Sequence, residues 1–525
     1  MFEKYFDGVI EQVYGKVGVT EKNIVMACYN NSFSVQGLET IKRYSENKDS
    51  VFFAWKEYSA EDIVGAYDPF LDVICQMYRE YVNGDFDDFL TQCQVYELHR
   101  EVLNMYYNTG ICKRQEHVLL DEVAYEQARM TNTIALMLKA VAEYKPLVLV
   151  VNRFQMTSKS AIRLILSLLE QPSNKIGIVL AVNEARIRKD HRTNAWNKMY
   201  DRLNDLGQVY HIGSSGRART SNYKTMEKQY QDYKKIFVRL NNVIELLDYE
   251  QANYYFLDIE HQVKYEAVKM PDGVKLSLYF MHTKVAILLG DLSKALDIIE
   301  DISKLEVPGM ESIITYQCSM DLATVYMYQG KLEQAARYAE VAKLEAENIG
   351  QAEKVFKAEL LLMRIQMSGW HNIFFCVKDV QISTLLIEKM MHYNYKNHLA
   401  HTYIYAFDNH AEEVAKAYVS EAALKHFTKG IRLAKEIGNE VLVCNAYQKN
   451  AMIASTNGMN EIALIYSIRT YQYIQNHKTI QSGRTLSAMG YNLSALGYMD
   501  EAAQFYGHAI AVFYELQQPE EIAEV

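Results

Sequence analysis

A glycine turn followed five residues later by alanine recurs through the C-terminal half of this chain, and it constrains the fold more than any other feature. It appears at Gly290/Ala295, Gly330/Ala335, Gly458/Ala463 and Gly497/Ala502, and Gly369 repeats the turn without the alanine. The clearest copy runs from Met320 to Gly350, as two short amphipathic stretches on either side of Gly330-Lys331. Leu322, Ala323 and Tyr326 share one helical face before the turn. Leu332, Ala335, Ala339 and Ala342 form the matching face after it, at steps of three and four residues. Small residues let two helices approach closely, and the glycine supplies the backbone freedom to reverse the chain. With weaker copies near Asp248 and Tyr418, the turns are spaced by 42, 40, 39, 49, 40 and 39 residues. That regularity predicts about seven stacked helical hairpins.

The pattern of small residues around the turn resembles the tetratricopeptide repeat. Its period is longer than the roughly 34 residues of the common unit and overlaps the roughly 40–47 of HEAT and armadillo repeats. The turn glycine with its following alanine favours tetratricopeptide-like repeats with lengthened helices. The expectation is an all-α, superhelical solenoid over 235–525, preceded by a linker at 214–234.

The first 213 residues read differently. Apolar runs at 23–29, 51–55, 146–151, 176–182 and 208–212 alternate with helical stretches, the pattern of a parallel α/β domain. Pro146 to Val151 is a continuous apolar run suited to the middle of a parallel sheet. The stretch Gly213-Ser-Ser-Gly216 marks the natural end of this domain.

Strand, loop, helix, strand and a later apolar pair resemble the nucleotide-binding core of STAND-type NTPases, relatives of the AAA ATPases that commonly carry helical repeats. The resemblance implies a P-loop NTPase-like parallel sheet in degenerate form. It implies a glycine-rich phosphate loop after the first strand, yet Ser32 and Ser34 stand where glycines belong, Val35 replaces the lysine and Gln36 the hydroxyl residue. It also implies paired acids after Pro146–Val151, where Asn152 and Arg153 stand instead. Asn183 and Arg186 occupy the places of a polar sensor and an arginine. The apolar skeleton survives and the phosphate and metal ligands do not, as in a pseudo-NTPase. The segment between 213 and about 235 leaves no room for the lid and winged helix of that family, which carry its nucleotide-driven switch.

Composition excludes several classes. An apolar fraction of 49%, 23% charged residues and only 6 prolines fit a largely helical globular chain. A net charge of −10 gives no general attraction to nucleic acid or anionic membrane. The N-terminal stretch MFEKYFDGVIEQVYGKV reads as an amphipathic helix, not a secretory signal, and no apolar run is long enough to span a bilayer. Seven scattered cysteines without a CxxC pair point to reduced thiols in the cytoplasm, with no disulfide framework and no zinc spacing.

No catalytic constellation and no cofactor motif stands out. His392, His398, His401 and His410 lie close in sequence without a carboxylate or cysteine at metal-ligand spacing, and they read as ordinary, partly exposed histidines. Asp121-Glu122 reads as surface, and the basic residues Arg186 to Arg192 as a solvated face. Tetratricopeptide geometry places Lys284, Gln317, Thr324, Tyr328, Asn445, Gln448, Arg484 and Tyr491 along a groove for a protein or peptide partner. The expectation is a non-enzymatic cytoplasmic scaffold or signalling adaptor, with homo-oligomerisation open. The alternatives are an NTPase using Arg153, Arg186 and Lys189 as phosphate ligands, and a peptide-sensing receptor.

Overall fold

The computed structural model describes residues 2–29, 51–58, 63–116, 118–187, 189–212, 233–264, 270–368, 384–406, 421–456, 458–474, 480–515 and 519–525. Five strands form one parallel sheet: β1 (Ile24–Tyr29), β2 (Phe52–Glu57), β3 (Leu147–Asn152), β4 (Ile176–Asn183) and β5 (Val209–His211). Their order across the sheet is β2-β3-β4-β1-β5, and every neighbouring pair is parallel. All five apolar runs of the first 213 residues are therefore strands. β1, β3 and β4 are buried along their whole length, which is why they are continuous apolar runs, whereas the edge strands β2 and β5 are partly exposed.

The alternation of side chains divides each strand between two cores. Val25, Ala27 and Tyr29 of β1 join Val150, Val179 and Ala181 on the face covered by the helix Phe2–Lys16, through Phe6, Val9, Ile10 and Val13. That helix lies so close to β4 that a Cβ on Gly177 would sit 2.6 Å from Val17 and 2.7 Å from Val13. Ile24, Met26 and Cys28 face the opposite, larger core, with Leu149, Val151, Ile178 and Leu180.

Four helices between β2 and β3, Phe70–Met77, Phe86–Gln92, Glu97–Thr109 and Val123–Tyr144, contribute to this larger core. So do Leu240, Val243, Tyr255 and Phe256 of the helices Tyr233–Glu245 and Tyr249–Lys264. Several polar groups enter it with partners. His99 Nε2 donates to Glu126 Oε2 at 2.7 Å, and Arg129 lies 3.3 Å from the other carboxylate oxygen. Arg114 donates to the carbonyls of Leu98 and Glu245. Glu122 corrects one expectation: it is buried rather than on the surface, because its carboxylate turns back to accept the Leu119 N–H at the start of a helix.

The chain forms two compact units, Met1–Ile314 and Thr315–Val525. The expected linker falls almost wholly outside the described residues, and the first unit continues beyond it because the following helices share the core of the sheet. The second unit is built of tetratricopeptide-like helical repeats. Leu332–Ile349 packs against Ala352–Ser368, Glu440–Thr456 against Asn460–Ile474, and Ile480–Ala495 against Met499–Glu515. Ala323, Ala335 and Ala339 are fully buried around Met327, Leu361 and Ile365, so the small residues admit the close approach read from the sequence. Gly330 has φ of +74°, and Gly290, Gly458 and Gly497 share the left-handed conformation of that turn. Near residue 248 it is Leu247 that takes the positive φ, and the turns at 369 and 418 lie outside the described residues.

Two measurements test this packing. Gly177→Ala places a methyl group against two valines on a tightly covered strand, and should destabilise the protein by about 1–3 kcal/mol in urea denaturation. The second concerns acid. Burial lowers His99 from 6.5 to about 4, against the pull of Glu126, so the folded ring stays neutral where the unfolded one gains a proton. Burial raises the Glu126 carboxyl, but His99 and Arg129 outweigh it and hold the group below its ordinary range. Both groups therefore bind protons more readily in the unfolded chain. Stability should fall as pH drops from about 6.5 towards 4. His99→Gln should flatten the upper part of that fall in melts recorded across the range.

Candidate functional site at the carboxyl edge of the sheet

The connection leaving β1 runs towards β2, and the one leaving β4 runs the other way to β5, although the two strands are neighbours. Opposed connections open a crevice at the carboxyl ends of such strands, the usual ligand position in a parallel sheet. The residues at this edge are Cys28 and Tyr29 of β1, Asn152 ending β3 with Arg153 after it, Asn183 ending β4 with Glu184 to Arg186 after it, and His211 of β5.

Asn152 is fully buried, and its Oδ1 accepts from the Tyr29 hydroxyl at 3.3 Å and from the Arg153 N–H at 2.9 Å. The second bond supports Arg153 in a left-handed conformation, φ +57°. Arg153 then turns back onto the end of β2, donating to the Tyr58 carbonyl at 3.2 Å and lying 3.3 Å from Glu57. Asn183 accepts the Ala185 N–H at 3.1 Å and so starts the short turn Glu184–Arg186, whose Arg186 is exposed. Burial raises the Tyr29 hydroxyl above its ordinary value, while the positive charges of Arg153 and Arg186 oppose the shift. Tyr29 thus meets Asn152 by a hydrogen bond and Arg153 and Arg186 by their charges, and it sits level with Asn183 in the ladder. Ser32, Ser34, Val35 and Gln36 lie outside the described residues.

The neighbouring basic stretch is only partly solvated. Arg192 donates to the carbonyls of Gln155 and Thr157 and pairs with Asp190 at 2.6 Å, tying the start of the helix Thr193–Asp205 to the turn after β3. Burial raises the Asp190 carboxyl, but Arg192 outweighs it and leaves the group below its ordinary range.

A second recess of about 150 Å³ opens beside the end of β2. Lys56, Asp68, Asp72, Tyr106 and Arg239 line it. Lys56 pairs with Asp68 at 3.1 Å and the Tyr106 hydroxyl donates to Asp72 at 2.6 Å. Burial holds the Asp68 carboxyl above its ordinary value even with Lys56 beside it.

Most of the expected groove residues serve their own unit. In the first, Lys284 pairs with the buried Glu245 at 3.0 Å. In the second, Gln317 donates to Asp321, Thr324 to the Met320 carbonyl, and Tyr328 accepts from Arg364. Arg484 forks onto Glu521. Asn445 and Gln448 are half-buried on one helix, and Tyr491 is 59% exposed. His398 is buried rather than partly exposed, beside the Tyr395 ring.

Sequence reasoning missed one grouping. Cys28, Glu184 and His211 bring their donor atoms within 4.8 Å of one another. They lie far apart in the chain, so no spacing motif announces them.

No protein-family model matches the chain, and no curated protein matches it. Among solved structures, similarity extends to a STAND protein with a tetratricopeptide repeat sensor from Pyrococcus horikoshii, at 12% identity and a TM-score of 0.46, over 97% of this chain and 90% of that one. A Rap protein complexed with Competence and Sporulation Factor is similar at 15% identity and a TM-score of 0.38, over 56% of this chain and 80% of that one. NprR in complex with its cognate peptide NprX is similar at 14% identity and a TM-score of 0.36, over 56% and 82%. The chain itself joins a five-stranded parallel sheet to a run of tetratricopeptide-like helical hairpins, as expected from the sequence. Among the described residues, no helix is long and apolar enough to cross a membrane.

Removing the tie at the start of Thr193–Asp205 should be costly. Arg192→Ala strips a largely buried carboxylate of its partner and two carbonyls of a donor, so about 3 kcal/mol should be lost in chemical denaturation.

Proposed function

We propose that this protein works by binding rather than by turnover, as a regulatory adaptor for a protein or peptide partner. The observation that carries the reading is the end of β3. There the resemblance asks for acids that hold magnesium and polarise water, and the chain offers a buried amide locked to Tyr29 and a guanidinium turned onto Glu57. Neither group carries the negative charge that paired acids bring to magnesium.

The partner side rests on the helical repeats. The exposed faces of the last hairpins carry Ile462, Ile465 and Ile468 on one helix and Tyr491, Tyr498 and Tyr514 nearby in sequence. Apolar and tyrosine side chains in that setting suit an extended or helical peptide, gripped by aromatic anchors and backbone hydrogen bonds. A peptide is also the class of ligand named for NprR.

The positive charges near Tyr29 favour a second reading, in which the edge keeps affinity for a nucleotide without hydrolysing it. Arg153 and Arg186 both act on the Tyr29 hydroxyl from that edge.

Phosphate release and thermal shift with MgATP and MgGTP, measured alongside quantitative pull-downs, test both. The adaptor reading expects no release above buffer, and partner recovery reduced at least about 10-fold by Tyr491→Ala with Gln448→Ala. A melting-temperature rise with nucleotide but no release, lost in Arg153→Ala, supports the second reading. Sustained nucleotide-dependent release, or partner recovery unchanged in the double variant, overturns the adaptor reading.

A further inference from the structure

We propose that Cys28, Glu184 and His211 form a binding site for a borderline-soft divalent cation of the zinc type, a site independent of any nucleotide or peptide. The backbone builds it. Parallel pairing puts Cys28 of β1 level with His211 of β5 on one side and with Val182 of β4 on the other. Level residues of a parallel ladder point to the same face, so the thiol and the imidazole are neighbours on the face of the larger core. Glu184 lies two residues beyond Val182, and the Asn183 cap fixes the turn that returns its carboxylate to that face.

The distances suit a small tetrahedral ion. With metal–nitrogen and metal–oxygen bonds near 2.0–2.1 Å and metal–sulfur near 2.3 Å, neighbouring donors should lie about 3.3–3.5 Å apart. His211 Nδ1 lies 3.3 Å from Glu184 Oε1, and all three donors fall within 4.8 Å of one another. Closing the set asks for side-chain rotation, not movement of the strands.

The donors also select the ion. A thiolate and an imidazole favour zinc or cobalt over magnesium or calcium, which want an all-oxygen shell. On coordination the Cys28 thiol gives its proton to the buffer, and the thiolate and carboxylate together balance the charge of the cation. Cys28 is buried, whereas the side chain of His211 is 59% exposed and that of Glu184 29%. The ion therefore enters from the His211 side, and a water there completes the shell. The helix Thr193–Asp205 packs against β1 and β5 on this side of the sheet. This place differs from the magnesium position implied by the NTPase resemblance, which belongs at the end of β3.

The test uses the full chain, stripped with chelator, kept reduced with a phosphine and titrated with zinc chloride under native mass spectrometry. Cobalt chloride serves as the optical probe. The expected result is one zinc per chain and a thiolate-to-cobalt charge-transfer band. His211→Ala, a change at an exposed side chain, should weaken zinc binding by more than about 10-fold while leaving the circular dichroism melt in place. Cys28→Ser should abolish the cobalt band. Should Cys28→Ser fail to fold, the wild-type cobalt spectrum and His211→Ala decide the matter by themselves. Absence of stoichiometric zinc at micromolar concentrations overturns the proposal, as does zinc affinity unchanged in His211→Ala.

Discussion

Pairing of β1 with β4 on one side and β5 on the other is the constraint on which the first unit depends. β1 is a central strand whose six residues are all buried, so its backbone polar groups have no recourse to water and must be satisfied by both neighbours. That pairing fixes the register of three strands, and the register fixes what each side chain meets. Alternate residues of β1 complete the small core under Phe2–Lys16 and the larger core on the opposite face. A slip of one residue would send Cys28 and Tyr29 to each other's surroundings. The carboxyl edge therefore exists in its present form because the ladder is in its present register.

The carboxyl edge of the sheet is held together largely by uncharged acceptors. Asn152 and Asn183 hold turns together through their side-chain oxygens, a task that needs an acceptor but no charge. Arg153 is bound to the end of β2, through the Tyr58 carbonyl and Glu57. Asn152, Arg153 and Asn183 thus have structural roles of their own at this edge. The cluster of Cys28, Glu184 and His211 lies on the other face of the same sheet end, and Asn183 bears on it through the cap that sets the turn carrying Glu184.

How much was legible differs from one part of the chain to another. Continuous apolar runs announced β1, β3 and β4, because a strand buried on both faces has no polar side to present, and apolar runs also marked the partly exposed edge strands β2 and β5. The hairpin turns were equally plain at Gly290, Gly330, Gly458 and Gly497, where a left-handed backbone selects glycine and a close helix pair selects alanine. Charged residues were read less well. Glu122 and Arg192 look like surface residues in any local window, yet each is held by partners that the local pattern does not reveal as such. The groove residues fared similarly: a helical face says which way a side chain projects, but not that Lys284 meets Glu245 or that Arg484 meets Glu521.

The sequence by itself determined the two kinds of architecture, a parallel sheet and a run of helical hairpins. Those follow from local periodicity and from the conformational demands of glycine and alanine, which act over a few residues. Only the tertiary structure decided where the compact units part, which polar groups are buried in pairs, and that a thiol, a carboxylate and an imidazole converge. Convergence of that kind depends on strand order and register, which join residues far apart in the chain and leave no mark on the spacing between them.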